Sequence, residues 1–161
     1  MRRPAGFTII EMIVVLLLMS IIAATVVGRS ITTTDLDLNA QTDKLRNHLR
    51  YAQSMAMKRT DTEWGIKIEA GQYWLFRGTN PDETGKQVKL PGVDYAGGSA
   101  EVTVASGLSL STTLGGGFVY FDRLGRPYDS TLALSSPKTI TVAASSENRT
   151  ISIEPETGLI R

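Results

Sequence analysis

Hydrophobic residues follow two different helical patterns in the first third of the chain. Residues 7–27 contain one ionisable side chain, Glu11, and as a helix they are long enough to cross the hydrocarbon layer of a bilayer. Residues 35–59 repeat apolar positions at helical spacing, which predicts an amphipathic helix with one buried face. Proline is absent from residues 7–57, so the two segments are predicted to form one long helix. The predicted buried face consists of Leu38, Leu45, Leu49, Ala52 and Ala56.

Beyond residue 63 the period of the pattern shortens to two, which is typical of β-strands. Residues 64–69 and 72–77 alternate around Ala70-Gly71, and this predicts a hairpin. Residues 78–87 have the composition of a loop. Further strands are predicted at 101–105, 108–112, 117–121, 131–134, 138–143 and 149–153. Because the connections are short, the pairing is expected to be antiparallel. The predicted fold is α+β, with a long N-terminal helix packed on an antiparallel, β-rich globular part.

Composition and charge exclude several classes of protein. The 161 residues include no Cys, and 17 Lys and Arg stand against 16 Asp and Glu. Without Cys the chain has no thiolate nucleophile, no cysteine-ligated zinc and no disulfide. Its near-zero net charge is not the pattern of a general nucleic-acid binder. The charges are also segregated, because Arg2 and Arg3 precede the apolar segment and the part after residue 28 is balanced.

Three interpretations compete for residues 1–27: a secretory signal peptide, an ordinary transmembrane anchor, and a segment cut ahead of its apolar stretch. Glu11 distinguishes them, because a charge at mid-bilayer costs about 3 kcal/mol and needs a partner. Cleavage between Gly6 and Phe7 would create that partner, an amine four residues before Glu11 and on the same helical face. The amine could pair with Glu11 of the same chain or of a neighbouring chain, and the sequence leaves both arrangements open.

The run from Gly6 to Glu11, GFTIIE, followed by the apolar stretch, resembles the class III signal of type IV pilins and type II secretion pseudopilins. The resemblance implies cleavage after Gly6 by the prepilin peptidase and N-methylation of Phe7. It also implies that Glu11 guides docking into a growing filament. The implied parts are a leader (1–6), a transmembrane and assembly helix (7–28), its amphipathic continuation (29–59) and a globular domain (60–161).

The same resemblance implies partners and a location. The partners are other pilin or pseudopilin subunits, the prepilin peptidase, an inner-membrane assembly platform and, before assembly, the lipid bilayer. Arg2 and Arg3 fit retention of the leader in the cytoplasm by the positive-inside rule. The subunit is then expected to cross the bacterial inner membrane once, with its globular part in the periplasm, and to enter a pilus or pseudopilus filament. No cofactor is expected.

A second resemblance is to the GspH/FimT branch of this family. It is carried by three segments, at Leu49–Ala56, Phe118–Pro127 and Ile151–Arg161. Asp122 and Gly125 fit a β-turn, and Pro127 is expected to limit strand continuation. A ligand-binding Asp122 is the alternative. The turn motif of the branch corresponds to Phe121, Asp122, Gly125, Arg126 and Pro127.

Catalytic patterns are absent from the sequence. His48 is the only histidine, so no triad that uses histidine can form elsewhere, and a packed or surface role is expected for it. Asp82, Glu83 and Asp94 could join a calcium site, but their spacing is not diagnostic and a solvated loop is the default interpretation. The chain is therefore predicted not to be an enzyme and to hold no metal.

The function indicated is that of a structural subunit, most consistent with a minor one, in a type IV pilus-like or type II secretion filament. One alternative is a FimT-like pilin that takes up DNA. That alternative is weakened because residues 138–161 contain three basic and three acidic side chains, which makes nucleic acid an unexpected partner. Another alternative is the main subunit of such a filament.

Overall fold

The computed structural model describes residues 8–28, 33–59, 61–83, 85–95, 98–130, 132–145 and 147–161. The predicted leader and Phe7 lie outside these residues. The chain divides into two compact units, with the boundary between Thr33 and Thr34. The first unit contains helix α1 (Ile9–Gly28). The second unit contains helix α2 (Thr33–Lys58) except for its first residue, and it contains the strands of the described residues.

Helix α2 buries the face that the sequence indicates. Its 26 residues make it about 39 Å long. The predicted continuity between residues 7 and 57 stays a prediction, because residues 29–32 lie outside the described part. Among the side chains of α2 that the structure describes, the fully buried ones are the five predicted, Leu38, Leu45, Leu49, Ala52 and Ala56.

The described residues contain ten strands, all paired antiparallel: β1 (Trp64–Ile68), β2 (Gln72–Arg77), β3 (Gln87–Val88), β4 (Val102–Thr103), β5 (Ser109–Thr112), β6 (Phe118–Phe121), β7 (Pro127–Asp129), β8 (Leu132–Ala133), β9 (Lys138–Ala143) and β10 (Asn148–Ile153). A seven-stranded sheet has the order β3-β2-β1-β6-β7-β8, with β4 also paired to β2. A three-stranded sheet has the order β10-β9-β5. Helix α2 and both sheets share one hydrophobic core. The predicted α+β class and antiparallel pairing are confirmed.

Two strands differ from the sequence prediction. Strand β3 begins at Gln87, inside the segment predicted as loop, and pairs with Phe76 and Leu75 of β2. Strand β7 begins at Pro127, which was expected to limit a strand. A proline can occupy the first position of a strand because its missing N–H is not needed there. The carbonyl of Pro127 still accepts a hydrogen bond from Leu134 N–H at 3.1 Å.

The large sheet is buried on both faces. One face belongs to the core shared with α2 and carries Ile66 and Phe121. The other face carries a separate aromatic cluster of Trp74, Phe76 and Tyr120, against which Phe118 and Tyr128 pack. The rings of Tyr120 and Tyr128 are stacked with centroids 5.3 Å apart. Burial on both faces explains why the alternation along β1 and β2 is incomplete.

Gly65 allows the aromatic cluster to close over β1. A Cβ atom built at Gly65 would lie 2.6 Å from Phe76 Cζ and 2.8 Å from Tyr120 Cα. Gly65→Ala is therefore expected to lower the free energy of unfolding by about 1–3 kcal/mol, because backbone and ring must both move. Gly71→Ala is the matched control, since no atom lies within 4 Å of a Cβ built there. Urea unfolding of both variants measures the effect, and equal stability of the two would contradict this account.

Candidate functional site

The N-terminal end of α1 is capped by Thr8. The Glu11 backbone N–H donates to Thr8 Oγ1 at 3.3 Å, and the N–H groups of Glu11 and Met12 donate to the Thr8 carbonyl oxygen at 3.1 and 3.2 Å. Threonine followed three residues later by Glu is the signature of a capping box. Glu11 lies in the first turn, where the helix dipole favours a carboxylate. Gly6 and Phe7, the predicted cleavage residues, lie outside the described part of the chain.

The apolar side chains of α1 form an exposed surface. From Ile9 to Ile22 the large apolar side chains are between 46% and 82% exposed. Burial of each such side chain is worth about 1.5–3 kcal/mol, so this surface strongly favours association with an apolar environment. In the described residues, no helix satisfies the length and hydropathy criteria for crossing a membrane.

Asp122 organises the turn between β6 and β7. Its Oδ1 accepts hydrogen bonds from the backbone N–H groups of Leu124 and Arg126, both at 2.9 Å, and its Oδ2 accepts one from Arg126 Nε at 2.8 Å. Burial acts to raise the pKa of the Asp122 carboxyl, but the hydrogen bonds from Arg126 and Leu124 outweigh burial and lower this pKa. Both carboxylate oxygens are thus engaged within the turn. Gly125 completes the turn with a φ of 77°.

Three segments distant in sequence meet at Gln53 of α2. Its Nε2 donates to the carbonyl oxygens of Gly125 at 2.9 Å, Gly158 at 3.1 Å and Thr157 at 3.3 Å. The two N–H groups of one amide are therefore shared among three carbonyl oxygens. This contact joins α2, the β6–β7 turn and the C-terminal segment. The same three segments carry the resemblance to the GspH/FimT branch.

Gly158 lets the C-terminal segment approach Gly125 and Gln53 closely, because it has no side chain. Its φ is 64°, a conformation that favours glycine. A Cβ atom built at Gly158 would overlap the Gly125 carbonyl oxygen and lie 2.6 Å from Gln53 Nε2. One helical turn before Gln53, Arg50 Nη2 donates to the Ile160 carbonyl oxygen at 2.9 Å. The C-terminal segment is thus held to α2 at two successive turns.

Gln53→Ala tests the junction. The substitution leaves two partly buried carbonyl oxygens, of Gly125 and Gly158, without this donor, and the expected loss in the free energy of unfolding is about 1–3 kcal/mol. Ser54→Ala on the adjacent position is the control, because Ser54 makes no side-chain hydrogen bond within the described residues. Thermal melting of both variants measures the difference. A stability loss that is the same for both would show that the amide contributes nothing specific.

A groove of about 530 Å³ opens beside the junction. Its apolar lining includes Met57, Leu124 and Leu159, which are 52%, 63% and 47% exposed. Its polar lining includes Gln53 and Arg50, and Arg50 is the only charged residue that lines it. The groove is therefore an apolar surface in contact with solvent.

His48 is packed in the core, one of the two roles expected for it. It is 7% exposed, and its Nδ1 lies 2.9 Å from the Tyr73 hydroxyl oxygen of β2. Burial and the nearby charge of Lys44 lower the pKa of His48 to about 4. Burial also raises the pKa of the Tyr73 hydroxyl. The imidazole is consequently neutral at physiological pH and joins α2 to the sheet.

The acidic residues weighed for calcium do not converge. Lys86 Nζ lies 3.6 Å from Glu83 Oε1, and Lys67 Nζ lies 4.0 Å from Asp82 Oδ2. Among the described residues, no group of three or more His, Asp or Glu side chains is placed to hold a metal ion. Asp94 is exposed on a different loop.

The basic residues weighed for DNA binding are already paired. Lys138 lies 3.8 Å from Asp129, Arg149 lies 3.0 Å from Glu147, and Arg161 lies 3.8 Å from Glu154. Each cation has a carboxylate beside it, so these residues do not form a free basic surface for phosphates.

The structure brings the residues of the family turn together between β6 and β7 in the β-rich unit, and places Glu11 in the other unit; the turn residues are Phe121, Asp122, Gly125, Arg126 and Pro127. Gln53 and Thr8 are not among the residues that the sequence patterns single out. A polar residue four positions after Leu49 on the buried face of α2 was the available signal for Gln53. The Thr-x-x-Glu spacing was the signal for Thr8.

Comparisons with known sequences agree with these observations. The sequence model of a family described as type II transport protein GspH matches residues 41–157. Another, described as the prokaryotic N-terminal methylation motif, matches residues 1–27. Among curated proteins, no sequence matches the chain significantly.

Solved structures with a similar fold include two minor subunits. The minor pseudopilin EpsH from the type 2 secretion system of Vibrio cholerae is 14% identical, with 78% of this chain and 94% of that chain covered and a TM-score of 0.53. The type IV minor pilin FimU of Pseudomonas aeruginosa PAO1 is 16% identical, with 80% and 90% covered and a TM-score of 0.53. At these identities the similarity concerns the fold.

Proposed function

This chain belongs to the GspH family of type II transport proteins and is a pilus or pseudopilus subunit, and we propose that it enters its filament as a minor component, processed after Gly6 and assembled through its N-terminal helix. The observation that carries the proposal is the exposed apolar surface of α1, in a chain whose second unit has a hydrophobic core of its own. Such a helix needs an apolar environment, whereas the domain does not.

The proposed mechanism is assembly driven by burial and charge pairing. Cleavage after Gly6 leaves an amine on Phe7, four residues before Glu11. Pairing of that amine with Glu11 neutralises both charges and favours transfer of the helix from the bilayer to the filament core. The apolar surface of α1 would contact lipid before assembly and sibling helices afterwards. A carboxylate in the first turn of α1 is also favoured by the helix dipole.

The proposed location follows from the distribution of charge. Arg2 and Arg3 favour a leader on the cytoplasmic side, so the subunit would cross the inner membrane once and hold its globular part in the periplasm. The prepilin peptidase and the assembly platform of the filament would be its membrane partners. The globular part would contact sibling subunits, and we propose no catalytic activity for it.

Mass spectrometry of filaments sheared from the native host tests this proposal. The expected result is an N-terminal peptide that begins with N-methylated Phe7, at low abundance relative to the sibling subunits. The same peptide at dominant abundance would instead identify the main structural subunit. A chain that keeps Met1, or is cut beyond Ala24, would contradict processing as a pilin.

A further inference from the structure

A cleft of about 520 Å³ lies between α2 and the loop that joins β3 to β4, within the second unit of the chain. Lys44 lines it from α2, and Asp94 and Tyr95 line it from the loop. Thr103 of β4 and Glu101, which precedes that strand, line the opposite wall. Small-molecule sites are typically concave and about 300–1,000 Å³ in volume, so the cleft is large enough for a small ligand.

One wall of the cleft is a strand edge with free backbone groups. Strand β4 pairs with β2, with Thr103 opposite Gln72, and it has no second partner among the described strands. The Val104 N–H donates to the Gly71 carbonyl oxygen of the β1–β2 hairpin at 3.0 Å. Successive residues of an antiparallel strand direct their N–H and C=O groups to alternate sides, so those of Thr103 point away from β2. Within the described residues these two groups form no hydrogen bond.

The charged side chains of the cleft are also unpaired. Lys44, Asp94 and Glu101 form no ion pair in the part of the chain that the structure describes. Lys89 adds a second cation beside the cleft, with its Nζ 5.4 Å from the centroid of the Tyr95 ring. Charges of both signs are therefore present and separate. A ligand with a single charge would be attracted by some of them and repelled by others, whereas a ligand with one charge of each sign matches them.

We propose that the cleft binds a short peptide with free ends, which lies extended along β4. The main chain of the peptide would donate to the Thr103 carbonyl oxygen and accept from the Thr103 N–H, as in strand addition to a sheet edge. Its carboxylate would face Lys44, and its ammonium group would face the carboxylates of the lining. An extended tripeptide is about 10 Å long, so its two ends meet different side chains. The inference goes beyond the proposed function and does not require a filament.

Titration of the isotope-labelled full chain in detergent with trialanine, followed by NMR, tests the inference. Trialanine is expected to bind with a Kd of about 0.1–1 mM. The amide signal of Thr103 should shift more than that of Val104, whose N–H is already bonded to Gly71. N-acetylated trialanine and trialanine amide each lack one charged end and are expected to bind about tenfold more weakly. No binding of trialanine, shifts centred outside the cleft, or equally tight binding of either blocked peptide would overturn the proposal.

Proline substitutions isolate the role of the strand edge. Thr103→Pro removes the outward N–H and keeps the bonds of β4 to β2, because proline is tolerated at an edge position whose N–H faces away from the sheet. This variant is expected to bind trialanine about three- to tenfold more weakly. Gln87→Pro is the matched control, since Gln87 of β3 lies on the same edge of β2 but does not line the cleft. Equal affinity of the two variants, each with an unchanged melting temperature, would contradict strand addition.

Lys44→Gln tests the charged end of the peptide and leaves β4 intact. The variant is expected to bind trialanine about tenfold more weakly than the wild type. Its affinity for trialanine amide should match that of the wild type, because the amide has no carboxylate for Lys44 to bind. An equal loss for both peptides would overturn the inference. This comparison decides the question if Thr103→Pro lowers the melting temperature.

Discussion

Glu11→Gln is expected to reduce the amount of this subunit in filaments by roughly 100-fold, while leaving membrane insertion intact. The Phe7 amine produced by processing would then lie in an apolar environment without a counter-charge. An unpaired charge there costs about 2.5–3.5 kcal/mol, which corresponds to this factor. Quantitative immunoblotting of sheared filaments against the membrane fraction measures the ratio.

Glutamine also separates two roles that Glu11 could have. At the third position of a capping box, glutamine replaces Glu, so the start of α1 behind Thr8 stays intact. Glu11→Ala removes the charge and also the polar side chain that a capping box uses at this position, whereas the backbone N–H of residue 11 can still donate to Thr8 Oγ1. If Glu11→Gln assembles normally and Glu11→Ala does not, the side chain at position 11 serves the helix start without its charge, and the charge-pairing mechanism is wrong. Glu101→Gln, in the β-rich unit, controls for the loss of one acidic residue.

The sequence allowed the helices and most strands to be predicted, because their signals are local. The apolar positions of α2 recur within one continuous segment. The hairpin of β1 and β2 is indicated by the alternation of apolar and polar residues on either side of Gly71. Strand β3 has two residues and no pattern of its own, so its pairing with β2 depends on tertiary contacts. Strand β7 begins at Pro127. Proline usually indicates the end of a strand, but it is also tolerated at the first position of one, so the residue type alone does not predict this strand.

Local sequence patterns do not predict the contacts of Gln53. Two of its three acceptors are the carbonyl oxygens of Gly125 and Gly158, which lie 72 and 105 residues away along the chain. Backbone carbonyls are present at every residue, so the sequence does not mark those that an amide will bind. The two glycines mark the site only indirectly, since each has a positive φ and lies at the closest approach of two segments. The three segments that resemble the GspH/FimT branch therefore share a structural explanation.

The buried His48 is expected to make the fold sensitive to mild acid. Its pKa is lowered from 6.5 to about 4 because burial removes water and Lys44 repels the charged ring. The unfolded chain therefore takes up a proton near pH 6.5 that the folded chain resists until about pH 4. Stability from this residue is complete above pH 6.5 and is lost as the pH falls toward 4, by up to roughly 3 kcal/mol.

His48→Gln isolates this effect, because glutamine does not titrate and its amide can still reach the Tyr73 hydroxyl. Between pH 7 and pH 4 the free energy of unfolding should fall for the wild-type chain and stay nearly constant for the variant. Asp122 does not interfere, since its pKa is lowered from 3.8 and its contribution is lost only in stronger acid. Lys44→Gln should reduce the slope by removing the repulsion. Parallel profiles for the wild type and His48→Gln, measured by urea unfolding, would place the acid sensitivity elsewhere in the fold.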